Sequence, residues 1–152
     1  MRLFAIGDLH LPGGQEKPMD VFGGHWEGHF ERISQDWRNR VGEDDGVLIP
    51  GDTSWAMQLK DAVPDLAAIG ELPGRKLLIR GNHDYWWGGI GQVRKALPEG
   101  MMAIQHDAVD LGDVVVTGTR GWAWPTEETP APCVHDFSVE YAVVKEATCD
   151  AA

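Results

Sequence analysis

Three short segments of this 152-residue chain carry side chains of metal-ligating type at spacings that could bring them to one ion. The first is Asp8-Leu9-His10, the second is Asp52 after Gly51, and the third is Asn82-His83-Asp84 after Gly81. Residues two apart at a strand end share a face, so Asp8 and His10 can reach the same cation. Asp52 brings a carboxylate whose two oxygens could bridge two cations, and Asn82 brings a neutral carbonyl oxygen. A mixed set of imidazole, carboxylate and amide donors suits Mn, Fe, Co, Ni or Zn better than Mg or Ca. Two such ions ~3.5–4 Å apart clamp a phosphoryl group and lower the pKa of a water between them. His83 follows a ligand directly and could protonate a leaving oxygen or stabilise the developing charge. Asp84 stands beside it as a candidate orienting carboxylate.

The elements that must position these residues are written in the preceding letters. Phe4-Ala5-Ile6-Gly7 leads to Asp8, Val47-Leu48-Ile49-Pro50-Gly51 to Asp52, and Leu77-Leu78-Ile79-Arg80-Gly81 to Asn82. Short apolar runs closed by glycine read as buried strands of a parallel sheet. Ligands of open α/β sheets bind at the carboxyl ends of such strands. Between the strands, Trp26, Phe30, Ile33, Trp37 and Val41 recur at helical spacing over 25–41. Asp61 is a candidate cap for a helix bearing Val63, Leu66 and Ile69, with Pro64 in its first turn. A short helix is expected over 89–97. Strands are expected over 101–105, 108–111 and 114–118, with Gly112-Asp113 as the turn between the last two. The class is α/β, a parallel sheet followed by antiparallel strands in a layered sandwich.

Composition narrows the partners. With 43% apolar residues and a formal charge of −11, the chain is an ordinary globular domain ill suited to broad attraction by nucleic acid or anionic membrane. Bound divalent cations would reverse the sign locally and admit an anionic substrate. No run approaches the ~20 apolar residues of a membrane span, and Met1 to Ile6 meets Asp8 too early for a signal peptide. Cys133 and Cys149 fit no zinc or redox spacing and read as free thiols of a cytoplasmic protein.

Taken in order, Gly7-Asp8-Leu9-His10, Gly51-Asp52 and Gly81-Asn82-His83-Asp84 resemble the first three signature blocks of the calcineurin-like metallophosphoesterase superfamily. Arg120-Gly121-Trp122 is similar to its uncharacterised bacterial members. The resemblance implies the N-terminal portion of an α-β-β-α sandwich and a hydrolase of phosphomonoesters or phosphodiesters, small or polymeric, with two divalent metal ions. It further implies that Asp8 and His10 hold one metal, Asp52 bridges, Asn82 holds the second, and His83 is catalytic. The family completes its site with a later histidine at a strand end and a Gly-His-x-His block. Here only His106 and His135 follow His83, and neither stands in such a context. The expectation is therefore an incomplete phosphoesterase-like domain over 1–125, followed by an atypical tail over 126–152 in which Pro125, Pro130 and Pro132 break the chain. The sandwich would lack most of its second half, as a truncated or frameshifted product or a natural short variant would. Its exposed apolar sheet face would favour self-association. The alternative function is a metal-binding remnant without catalysis.

Other candidates carry blander readings. His25 and His29, four apart, could bind zinc but read better as a polar helix face, because Glu27 is misplaced for His-Glu-x-x-His. Tyr85, Trp86 and Trp87 could wall a pocket or pack in the core. Arg80 could meet phosphate or form a structural ion pair, and Glu43-Asp44-Asp45 reads as a solvated loop.

Overall fold

The computed structural model describes residues 1–14 and 19–118. The chain divides into two compact units, Met1–Ala103 and Ile104–Ala152. The expected boundary at 125/126, the tail, His135, both cysteines and Arg120-Gly121-Trp122 lie outside the described residues.

In the first unit β1 (Leu3–Ala5), β2 (Gly46–Ile49), β3 (Arg75–Leu78) and β4 (Met101–Ala103) form one parallel sheet in the order β1-β2-β3-β4. Helices α1 (His29–Arg40), α2 (Leu59–Gly70) and α3 (Ile90–Ala96) make the crossovers. Right-handed crossovers between successive neighbours put all three helices on one face. The register agrees. Phe4, Val47, Lys76 and Met101 align across the sheet, and one pleat further stand Ile6, Ile49, Leu78 and Ala103. All but Lys76 join the core with Trp37, Leu66, Ile69 and Val93. Lys76 reaches its buried position by donating its ammonium to the carbonyls of Gly70 and Leu72 at the end of α2. Burial pushes its pKa down. The opposite face carries Leu3, Ala5, Leu48, Leu77 and Met102, of which Leu3 is exposed and Leu48 and Met102 half-buried.

The second unit holds the antiparallel pair β5 (Ala108–Asp110) and β6 (Val115–Thr117). Leu111 N–H donates to Val114 carbonyl oxygen, with Gly112 at φ 97°. This is the expected turn at Gly112-Asp113.

Several expectations need correction. The helix expected over 25–41 begins only at His29, because Gly28 takes a left-handed conformation (φ 58°) and Gly24–Trp26 forms a separate 3₁₀ turn. His25 and His29 thus do not share a helix, and the zinc spacing disappears. Helix α2 starts two residues before Asp61, with Gln58 at the cap, so Pro64 sits in its second turn. Arg80 lies beyond the last residue of β3 rather than within a strand.

The acidic run is not wholly solvated. Asp45 is buried, accepting from Arg2 N–H (2.7 Å), Arg2 Nη2 (2.7 Å) and Gly42 N–H (3.0 Å). The Arg2 guanidinium, with the N–H donors of Gly42 and Arg2, holds its carboxyl far below the usual aspartate range. Among the described residues no helix is long and apolar enough to cross a membrane.

Candidate metal centre

The loops that leave β1, β2 and β3 continue the sheet's main-chain pairing past the strand ends. Asp8 N–H donates to Gly51 O (3.2 Å), His10 N–H to Asp52 O (3.0 Å), Leu11 N–H to Thr53 O (3.0 Å) and Trp55 N–H to Leu11 O (2.9 Å). The β2 and β3 loops touch backbone to backbone: a Cβ on Gly51 would collide with Gly81 Cα, and one on Gly81 with Asp52. Glycine is therefore required at both positions for steric reasons, and Gly51 also has φ 108°.

A single buried carboxylate ties these loops together. Asp84 is fully buried, and its Oδ2 accepts the main-chain N–H of Asp52 and of Gly81, each at 2.8 Å. Its Oδ1 accepts Thr53 N–H (2.8 Å), Ser54 N–H (3.3 Å) and Trp86 Nε1–H (2.9 Å). Burial pushes this carboxyl up from the ordinary aspartate value while those donors pull it down. Asp84 thus holds the β2 and β3 loops by their main-chain N–H groups, instead of orienting the His83 ring as its neighbour position suggests. A second clasp joins the β1 and β2 loops. Asp65, on α2, accepts Gly13 N–H (2.8 Å) and Ser54 Oγ–H (2.5 Å), and burial raises its pKa.

Three residues of metal-ligating type converge on this scaffold. Donor atoms of His10, Asp52 and His83 all lie within 4.8 Å of one another. Asp52 is buried, and His83 contacts both its oxygens: the main-chain N–H donates to Oδ1 (2.9 Å), and ring Nδ1 lies 2.9 Å from Oδ2. Each oxygen keeps a further lone pair. Burial raises the Asp52 pKa, but the His83 N–H, the His83 ring and His10 outweigh it, and the net direction is down. His10 Nδ1 is buried and meets no hydrogen-bond partner among the described residues. A His10 ring nitrogen within 4.8 Å of donor atoms of an ionised carboxylate and a second imidazole fits a divalent cation of the Mn-to-Zn group.

The remaining expected ligands lie at the edge of this group. Asp8 is largely exposed, with Oδ1 3.5 Å from His10 Nε2. The Asn82 amide lies over the His83 ring, its nitrogen 3.2 Å from Nδ1. His106 belongs to the second unit. Tyr85 is exposed and meets the His83 ring edge to face at 6.2 Å, whereas Trp86 and Trp87 are buried core residues.

Sequence reasoning passed over Trp55, which stacks on His10 at 4.6 Å and approaches His83 at 5.1 Å. An aromatic residue three places beyond the Asp52 ligand position was the available signal. It also missed the backbone. Asp8, His10 and Asp52 all have positive φ, at 56°, 46° and 54°. Such left-handed non-glycine residues cluster at functional sites, where surrounding structure holds them. A separate groove of about 640 Å³ lies between α1 and β1, lined by Phe4, Ile6, Trp26, Ile33 and Trp37, and contains none of the three convergent residues.

Comparison with known proteins follows the same lines. The profile of the family described as calcineurin-like phosphoesterase matches residues 1–136. The Gene 66 protein of Mycobacterium phage L5 is 38% identical over 79 residues, a stretch amounting to 51% of this chain and 37% of the phage protein. The crystal structure of a protein of unknown function from Aquifex aeolicus matches with a TM-score of 0.54 at 17% identity, over 96% of this chain and 74% of that one. At that identity the likeness is one of fold.

Proposed function

The chain belongs to the calcineurin-like phosphoesterase family, and from that premise we propose that it is a metal-dependent hydrolase of phosphomonoesters or phosphodiesters with a dinuclear centre. The observation that carries the reading is the convergence of His10, Asp52 and His83 at the ends of adjacent parallel strands. Asp8 and His10 would hold one ion, Asp52 would stand between the two, and Asn82 would serve the second. When bound, such ions supply Lewis-acidic charge and a water of lowered pKa.

The protein's own groups do the rest. Asp52, its pKa lowered, stays anionic through neutral pH and balances cationic charge. The same carboxylate lies 2.9 Å from His83 Nδ1 and fixes the orientation of the ring. His83, about a third exposed, can then hold a proton at Nε2 for a leaving oxygen. The exposed Asn82 amide can donate to a phosphoryl oxygen.

Turnover of bis(p-nitrophenyl) phosphate and p-nitrophenyl phosphate with Mn(II), Fe(II), Co(II), Ni(II) or Zn(II), before and after chelation, tests this. Hydrolysis should require metal, and activity indifferent to chelator would refute it. A second reading, a metal-binding protein without turnover, draws on one observation. Among the described residues only three His, Asp or Glu side chains converge, with Asp8 turned to solvent. Tight metal binding with no hydrolysis of either ester would favour it.

A further inference from the structure

His10 has ligand chemistry but no ordinary anchor. A metal-binding imidazole is usually fixed by a hydrogen bond from its other ring nitrogen to a carboxylate or carbonyl. Among the described residues Nδ1 meets no hydrogen-bond partner, and Nε2 lies 3.5 Å from Oδ1 of the exposed Asp8. The ring is nonetheless 88% buried. What covers it is the Trp55 indole, lying flat on the imidazole with centroids 4.6 Å apart and 16° between the planes.

The indole is itself held at both ends. Its main-chain N–H donates to Leu11 O at 2.9 Å, one residue beyond His10, and Nε1–H points to Met19 Sδ at 3.2 Å. We propose that Trp55 is a positioning residue that fixes the plane of the His10 imidazole by stacking, in place of the missing hydrogen bond, so that the ring presents a nitrogen toward Asp52 and His83 for a divalent cation. The left-handed backbone of His10 sets the direction of Cα–Cβ, while the ring plane needs a separate restraint. A stacked face supplies one and leaves both edge nitrogens available. Because Trp55 follows Asp52 by three residues, the restraint comes from the loop that carries the carboxylate, so the relative placement of His10 and Asp52 is fixed twice.

The inference rests on the metal-centre reading, and its test separates the two. Co(II) is titrated into the full 152-residue chain as wild type, Trp55→Phe and Trp55→Leu, followed by calorimetry and by the d–d absorption of the bound ion. Phenylalanine keeps a flat face and leucine keeps bulk without one. Trp55→Leu should weaken Co(II) binding about 10–100-fold, the usual effect of losing a group that orients a ligand, and should shift the d–d bands as imidazole coordination is lost. Trp55→Phe should bind within a few-fold of wild type with unchanged bands. In a His10→Ala background, Trp55→Leu should cost nothing further. Equal binding by both Trp55 variants, whether retained or lost, would overturn the stacking role while leaving the metal centre intact. Failure of the wild type to bind Co(II) would overturn both.

Discussion

Asp84→Asn should be severely destabilising although the two side chains have nearly the same shape. The five donors around Asp84 divide unequally. Oδ2 takes the N–H groups of Asp52 and Gly81, and Oδ1 takes those of Thr53, Ser54 and the Trp86 indole. An asparagine can present its oxygen to one set only, and its NH₂ then faces donors on the other side. The better orientation keeps oxygen toward the three donors and sets NH₂ against two buried N–H groups. Two hydrogen bonds to a charged group are lost, each worth about 1.5–3 kcal/mol, giving about 3–6 kcal/mol. That is a large share of the ~5–15 kcal/mol that holds a typical domain together. Urea unfolding at pH 7, followed by circular dichroism, should show a much lower midpoint with an unchanged slope. A loss under about 1 kcal/mol, the low end for an ordinary hydrogen bond, would refute the reasoning. It would mean that burial, which pushes the pKa up against the pull of the N–H cage, carries it far enough for the folded carboxyl to be protonated already at pH 7.

Asp52→Asn should abolish tight Mn(II) or Fe(II) binding by removing the one buried charge in the group, and metal analysis giving unchanged stoichiometry would sink its ligand role. His83→Ala should keep the metal while lowering kcat about 10²–10⁴-fold on esters with poor leaving groups. The loss should shrink with nitrophenolate, and an equal loss on both would exclude the acid role. Asp45→Asn should destabilise the chain at neutral pH. Because the folded pKa of Asp45 lies below its unfolded value near 3.8, its contribution is present above that value and fades as pH falls through the folded one. Urea midpoints of variant and wild type should therefore draw together as pH falls below about 4 without yet meeting at about pH 3, and a gap as wide at about pH 2.5 as at pH 7 would contradict the Arg2 clamp. The exposed Leu3 and half-buried Leu48 and Met102 should make the chain self-associate, and a monodisperse monomer in size-exclusion chromatography at micromolar concentration would refute this.

The sheet and its ligand-bearing ends are legible in the sequence because each strand announces itself locally, as an apolar run closed by glycine. Their parallel sense follows from the helical periodicity between them, while their order comes from the fold. The start of α1 is less legible: the apolar spacing of Trp26 and Phe30 is helical, and only the backbone of Gly28 breaks it. The acidic residues are least legible of all. Asp45 reads as part of a solvated run, Asp84 as an orienter of His83 and Asp65 as nothing in particular, until the fold shows which N–H groups other segments bring to them. Nor can spacing reveal that Asp8, His10 and Asp52 adopt left-handed backbone, since that choice is made by the pairing of one loop with the next.

Strand order in space repeats strand order along the chain, and this bears on how the molecule is made. Each new β–α unit adds to the edge formed by the one before it, so no strand waits for a later segment to be inserted between existing neighbours. Domains are synthesised and ordered from the N-terminal side. Asp8 and His10 come with the first unit, Asp52 and Trp55 with the second, and His83 with its Asp84 clasp at the end of the third strand. A nascent chain that has reached Trp87 therefore already holds every convergent residue and both carboxylates that pin their loops. Every group that would make up the proposed centre is thus in the chain while the remaining residues are still being added.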